Sequence, residues 1–272
     1  MSLEDHVGDI AAKARQNAGL SARKLAEAMG APLDAWVQFE ASGQPLPGVD
    51  LKQLAELLGL APEKLEAIAS GWQPAPWNPA RWRRLVRIPC LSGGYAANAY
   101  LAWDETTREA ALIDAGFDGG EAIERIEREG LRLKHILITH RHGDHLGGVD
   151  RLRRRFPEAR VHGPSPSAAE EDGEPLDLPV RLGPVRFELR PTPGHTPDSA
   201  TYVASGWPGG APAAAFVGDA LFAGSIGRAA APRQALRAIR KQILSLPDET
   251  LICPGHGPPT TVGEEKAHNP FF

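Results

Sequence analysis

The run Thr139-His140-Arg141-His142-Gly143-Asp144-His145 carries the densest chemistry in the chain. It places three imidazoles and one carboxylate within six positions, from a total of nine histidines. Imidazole nitrogen and carboxylate oxygen are the ligands that borderline and hard divalent cations take. The apolar run Ile136-Leu137-Ile138 just before it reads as a buried strand, so these side chains leave a strand end, where α/β folds build their sites. Three more candidates stand in turn-like settings, each directly after a glycine that lets the backbone bend: His195 after Gly194, Asp219 after Gly218 and His256 after Gly255. Alone, each would be an ordinary hydrogen-bonded loop residue. The ordered set HxHxDH, His, Asp, His reads as a metal site.

That order resembles the metallo-β-lactamase superfamily, and in detail its glyoxalase II-like hydrolases. The likeness extends to Gly218-Asp219-Ala220-Leu221-Phe222-Ala223-Gly224-Ser225-Ile226-Gly227-Arg228, to Pro254-Gly255-His256-Gly257-Pro258 and to the stretch Gly263–Phe271, within residues 85–272. The resemblance implies an α/β fold, an αββα sandwich with two metal positions in a cleft at one edge. Carried over position by position, His140, His142 and His195 would hold one cation and Asp144, His145 and His256 the other, with Asp219 bridging. The implied cofactors are two divalent ions, zinc first and iron or manganese as alternatives. A hydroxide shared between cations about 3.5–4 Å apart would attack a small thioester or ester, with Asp144 orienting it. The same superfamily supports a mononuclear iron persulfide dioxygenase, which is the alternative activity.

Arg228 is the candidate clamp for a substrate carboxylate, because guanidinium offers a planar fork of donors. Tyr95 and Asn98, in the glycine-rich loop expected at Ser92–Asn98, are the candidates to overhang the site. Ala229-Ala230-Ala231 follow Arg228 where the family carries polar or aromatic residues, and the sequence stops at Phe272. Both lead to the expectation of a thioester smaller than, or different from, a glutathione one. Thr139 and Thr196 are the candidates to orient ligand imidazoles. His135, His162 and His268 lack ligand company and read as structural, and Cys253 reads as a small buried apolar residue.

The elements that must position these groups read as strands with interspersed helices from Leu85 onward. Strands are expected at Leu85–Ile88, Asn98–Trp103, Ala110–Asp114, Lys134–Thr139, Val185–Arg190, Ala200–Ala204, Ala213–Val217 and Thr250–Cys253, and helices at Gly120–Glu129, Leu146–Phe156 and Pro232–Leu246. Residues 71–84 contain Gly71-Trp72-Gln73-Pro74-Ala75-Pro76-Trp77-Asn78-Pro79, whose prolines make a semi-rigid connector.

Residues 1–70 read as a small all-helical domain, with Ser21 and Asp34 at expected N-caps and Gly30 and Gly59 at expected C-caps. Ala18–Gly30, followed by Trp36, Phe39–Gly43 and Leu51–Leu60, resembles a Cro/repressor-type helix-turn-helix. That resemblance implies DNA contact through the helix near Leu33–Glu40, and a metal-dependent DNA-binding regulator is the reading from another functional class. The head carries six basic and ten acidic residues, so it lacks the charge to neutralise phosphates. A structural or homodimer-forming role is preferred. The whole chain has 30 basic and 34 acidic residues, no apolar run of spanning length, no signal-peptide pattern and only two cysteines. A cytoplasmic protein with no membrane partner is expected.

Overall fold

The computed structural model describes residues 2–163 and 180–272. Five helices come first: α1 (Val7–Asn17), α2 (Ala22–Ala28), α3 (Leu33–Ser42), α4 (Leu51–Leu58) and α5 (Pro62–Ala69). Local chemistry sets their ends. Ser21 Oγ accepts the Lys24 amide, the Asp50 carboxylate accepts the Lys52 amide, and Gly43 and Gly59 close α3 and α4 in the left-handed conformation. Asp34 is not an N-cap. Pro32 holds that position, and Asp34 lies in the first turn, where its charge complements the helix dipole.

The strands form two principal sheets. β1 (Leu85–Ser92), β2 (Tyr95–Trp103), β3 (Glu109–Ile113), β4 (Arg132–Leu137) and β5 (Arg160–His162) lie in that order, antiparallel up to β3 and parallel beyond it. The second sheet runs β13-β12-β9-β8-β7-β6, built from β6 (Val180–Leu182), β7 (Val185–Pro191), β8 (Ala200–Ser205), β9 (Ala214–Gly218), β12 (Leu251–Pro254) and β13 (Thr260–Thr261). Two short strands, β10 (Leu221–Phe222) and β11 (Ser225–Ile226), pair with each other. The remaining described helices are α6 (Gly120–Arg128), α7 (Gly143–Leu146), α8 (Val149–Arg155), α9 (Pro232–Gln242) and α10 (Val262–His268).

Alternation along buried strands explains the layering. Ala111 and Ile113 of β3, with Tyr202 of β8 and Phe216 of β9, point into the core between the sheets. Ala110 and Leu112 point the other way, onto Ile126 of α6 and Leu152 of α8. Val203, Ala215 and Val217 point to the opposite outer face, covered by Ile239 of α9 and Val262 of α10. Strands buried on both faces read as continuous apolar runs, as these do. The result is the αββα arrangement. The helical head joins it: Ile10, Leu25, Trp36, Leu54 and Leu65 belong to the same buried cluster as Val203 and Val217.

Two elements differ from the sequence reading. The glycine-rich stretch at 92–98 is not a loop but the tip and second strand of a tight β1–β2 hairpin, with Ser92 paired to Tyr95 across Gly93-Gly94. The helix expected over Leu146–Phe156 is split into α7 and α8 at Gly147-Gly148, where the 115–119 loop crosses close by and the Gly148 amide bonds to Gly116 O at 3.1 Å. The connector lies against the sandwich: Ala75 N donates to Glu264 Oε1 at 2.7 Å, Trp82 Nε1 donates to Pro212 O at 2.9 Å, and Trp72 stacks on His268.

Candidate metal centre

Each of the seven metal-ligand candidates lies just beyond the C-terminal end of a strand. His140, His142, Asp144 and His145 follow β4, His195 follows β7, Asp219 follows β9 and His256 follows β12. β9 and β12 run parallel, and β7 runs in the same sense two strands away, so all three chain exits open on one edge. Cross-sheet bonds fix that edge. Ala200 N donates to Thr139 O at 3.0 Å, Tyr202 Oη to Ile138 O at 3.2 Å and Tyr100 Oη to Pro254 O at 2.9 Å.

The side chains converge in two groups, His140, His142, His195 and Asp219 in one and Asp144, His145 and His256 in the other, with donor atoms in each group within 4.8 Å of one another. Ligands roughly 2.1 Å from a tetrahedral cation stand about 3.4 Å apart. Matching separations occur in the first group: His140 Nε2 to His142 Nδ1 is 3.1 Å, His195 Nε2 to His142 Nδ1 3.0 Å, and His195 Nε2 to Asp219 Oδ2 3.6 Å. In the second, His256 Nε2 stands 3.2 Å from Asp144 Oδ2, and His145 Nε2 stands 3.7 Å from the same oxygen. Asp219 reaches both groups, with Oδ1 3.3 Å from His145 Nε2 and Oδ2 3.5 Å from His256 Nε2.

His145 Nε2 and Asp219 Oδ1 are buried without a hydrogen-bond partner. Unpaired buried polar atoms are costly, and here they face one another across the space a cation would fill. The donor set therefore fits divalent metal. Gly255 makes that space, since a Cβ there would lie 2.3 Å from Asp219 Oδ1 and 2.6 Å from His145 Cε1. Gly218, at φ +50°, does the same beside Thr139.

The outward ring nitrogens are held by partners that set the tautomer. His195 Nδ1 donates to Arg228 O at 2.6 Å and His256 Nδ1 to Ala96 O at 2.7 Å. Carbonyls only accept, so Nδ1 carries the proton of the neutral ring and Nε2 is the atom left to bind a cation. His145 Nδ1 bonds to the Asp114 carboxylate at 2.8 Å. Thr139 Oγ1 donates to Asp114 Oδ2 at 2.9 Å and lies 3.1 Å from His140 Nδ1. Asp114, unremarked in the sequence reading, thus orients two imidazoles. Its φ of 57° is a left-handed conformation that costs a non-glycine residue about 1–3 kcal/mol. The available signal was a carboxylate ending an apolar strand next to β4. The carbonyls of Ala96 and Arg228 leave no signal, because any residue supplies one.

Charge follows the same plan. Burial pulls His140 down to about 3, which keeps it a neutral ligand. Burial also opposes charge on His145, but Asp114 and Asp219 overcome it and push that ring up to about 10. At His256 burial is outweighed by Asp144 and Asp219, and the ring rises to about 11. Such a carboxylate-rich site takes up positive charge, and cations would displace these protons.

Among the other expected site residues, Tyr95 is 74% exposed on the hairpin. Arg228 is exposed beside His195. Asn98 is buried, and its amide donates to Pro254 O and Gly257 O, both at 2.9 Å. Its side chain is spent on anchoring the His256 turn. Thr196 bonds to Asp198 and Ser199 rather than to a ligand ring. His135 and His162 pair with each other at 3.0 Å, and Cys253 is buried, away from the site.

Residues 92–256 match the metallo-beta-lactamase superfamily model. The chain belongs to this superfamily. Hydroxyacylglutathione hydrolase GloC of Haemophilus influenzae is 34% identical over 205 residues, which span 65% of this chain and 93% of that protein. Among solved structures, ETHE1 from Myxococcus xanthus superposes with a TM-score of 0.59 at 32% identity, covering 68% of this chain and 83% of that one. TTHA1623 in a di-iron-bound form gives 0.55 at 32% identity, over 68% and 99%. The chain spans 65–68% of the length of several other hydroxyacylglutathione hydrolases that it matches. Superfamily and relatives together make the chain a hydrolase.

Proposed function

We propose that the protein hydrolyses small acyl thioesters or related esters, using two divalent cations held by the two groups that share Asp219. The observation that carries this reading is the convergence of seven side chains in two sets with ligand-like spacing, bridged by one carboxylate. Two bound cations would supply Lewis acidity toward a carbonyl oxygen and a hydroxide at neutral pH. The chain's own groups prepare the rest. In the metal-free chain the hydrogen bond from His256 holds Asp144 down to about 2, so Asp144 is ionised, ready to bind a cation and to orient a water by accepting a hydrogen bond from it. Tyr95 lines the cleft, and Arg228, whose backbone carbonyl holds His195 and whose side chain is exposed, is the group we assign to pair with a substrate carboxylate. Zinc, iron and manganese all suit this donor set.

Purified protein should contain about two metal equivalents and cleave S-acyl thiols. Full activity after replacing Asp219 and His256 together by alanine would sink the proposal. A persulfide dioxygenase is the second reading, favoured by the likeness to ETHE1. Retention of Asp144, His145 and His256 as a complete second group supports hydrolysis, and oxygen uptake with glutathione persulfide separates the two.

Cys90 and Cys253 are both free and buried, which suits a reducing cytoplasm. No described helix is long and apolar enough to cross a membrane. The head's acidic surplus and its packing on α10 and the β10–β11 turn support a structural rather than a DNA-reading role.

A further inference from the structure

The segment before α1 reaches the metal centre. Asp5 is buried and takes an ion pair from the buried Lys13 and a hydrogen bond from Ser225 Oγ at 2.5 Å, while Lys13 Nζ also donates to Ile226 O at 2.8 Å. Ser225 and Ile226 form β11, so this network bolts the head to the turn that follows Asp219. Glu4, the next residue back, therefore has a fixed place. Its backbone lies against Gly257, whose added Cβ would meet Glu4 N at 3.1 Å. Glu4, exposed to solvent, lines the open cleft of about 550 Å³ together with Gly94, Tyr95, Phe117, Asp144 and His256. That volume suits a small molecule.

We infer that Glu4 is a specificity-determining residue: the helical head places a carboxylate in the substrate cleft that favours a thiol portion bearing a cationic group and disfavours one bearing carboxylates. This rests on the thioester reading and names its substrate class. Glu4 stands on the His256 side of the site, across from the His195 side where the backbone of Arg228 lies. Glutathione, with two carboxylates against one ammonium, is net anionic and a poor match to the Glu4 side, whereas a thiol portion whose only charge is an ammonium is a good one.

The test uses the full chain loaded with cobalt, at pH 8. Binding of cysteamine, 2-mercaptoethanol and 3-mercaptopropionate is read from the thiolate–cobalt absorption band, in wild type and in Glu4→Gln and Glu4→Lys. The ratio of cysteamine to mercaptopropionate affinity should fall roughly fivefold in Glu4→Gln, the scale of one solvent-screened charge contact, and further in Glu4→Lys. Mercaptoethanol should change little. Ratios within twofold of wild type in both variants, or failure of all three thiols to bind wild type, would overturn the assignment. Hydrolysis of acyl-thiocholine, whose quaternary ammonium cannot take the acyl group, and of acyl-glutathione is measured in parallel. A charge preference without hydrolysis leaves Glu4 standing and removes the thioester reading, and hydrolysis with unchanged ratios does the reverse.

Discussion

At the scale of single residues, the site depends on partners that are not ligands. Asp114 links Thr139, His140 and His145 through one buried carboxylate. Asp114→Asn keeps the shape, but its amide nitrogen can only donate where the carboxylate now accepts. Metal affinity or turnover should drop about 10- to 100-fold, the usual cost of losing a partner behind a ligand. Metal analysis after dialysis against chelator, beside initial rates, reads this directly. Unchanged metal retention would remove Asp114 from the positioning role. Tyr95 makes a contrasting prediction. It is exposed and lines the cleft, so Tyr95→Ala should raise KM with metal content unaltered.

At the scale of elements, the strand ends carry the function, and close packing there leaves no slack. Gly255→Ala would push a methyl into Asp219 and His145. The expected outcome is loss of metal from a chain that still folds, checked by metal stoichiometry together with far-ultraviolet circular dichroism. Normal occupancy would show that the turn can shift. These strand ends were legible because the ligands follow apolar runs long enough to show a pattern, as Ile136–Ile138 does before His140. β5, β6, β13 and β10 were not legible, since two or three residues carry no periodicity. α10 was hidden for another reason. Its core contacts come from Val262 and from Glu265, a charged residue buried in the fold, so polarity pattern misreads it. Asp114 and Glu4 escaped notice because their roles depend on neighbours distant in sequence. Asn98 was placed in the cleft by proximity to Tyr95, but strand alternation turns the two to different faces.

At the scale of the molecule, buried polar groups tie the helical head and the last helix to the sandwich, and both make stability testable. Lys13 and Asp5 form a buried pair, so Lys13→Met leaves a carboxylate uncompensated and should cost about 3–5 kcal/mol, seen as a lowered Tm. A wild-type Tm would mean that this ion pair contributes nothing to holding the head on the sandwich. Glu265 of α10 acts at the same interface. Its carboxylate accepts from the Gly224 amide, Thr260 Oγ1 and Asn269 Nδ2, at 3.1, 2.9 and 2.8 Å. Burial pushes it from 4.5 up to about 8 despite these donors, with Glu264 adding to the rise. The folded chain therefore keeps a proton that the unfolded chain has already released above pH 4.5. Stability from this group is full below that value, declines as pH rises toward about 8, and is level beyond it. Glu265→Gln stays neutral throughout and should escape the decline. In metal-free protein, the Tm of the glutamine variant minus that of wild type should therefore grow between pH 5 and pH 8, by an amount equivalent to a few kcal/mol. A difference that stays constant across that range would show that Glu265 ionises in the folded protein as readily as in the unfolded chain.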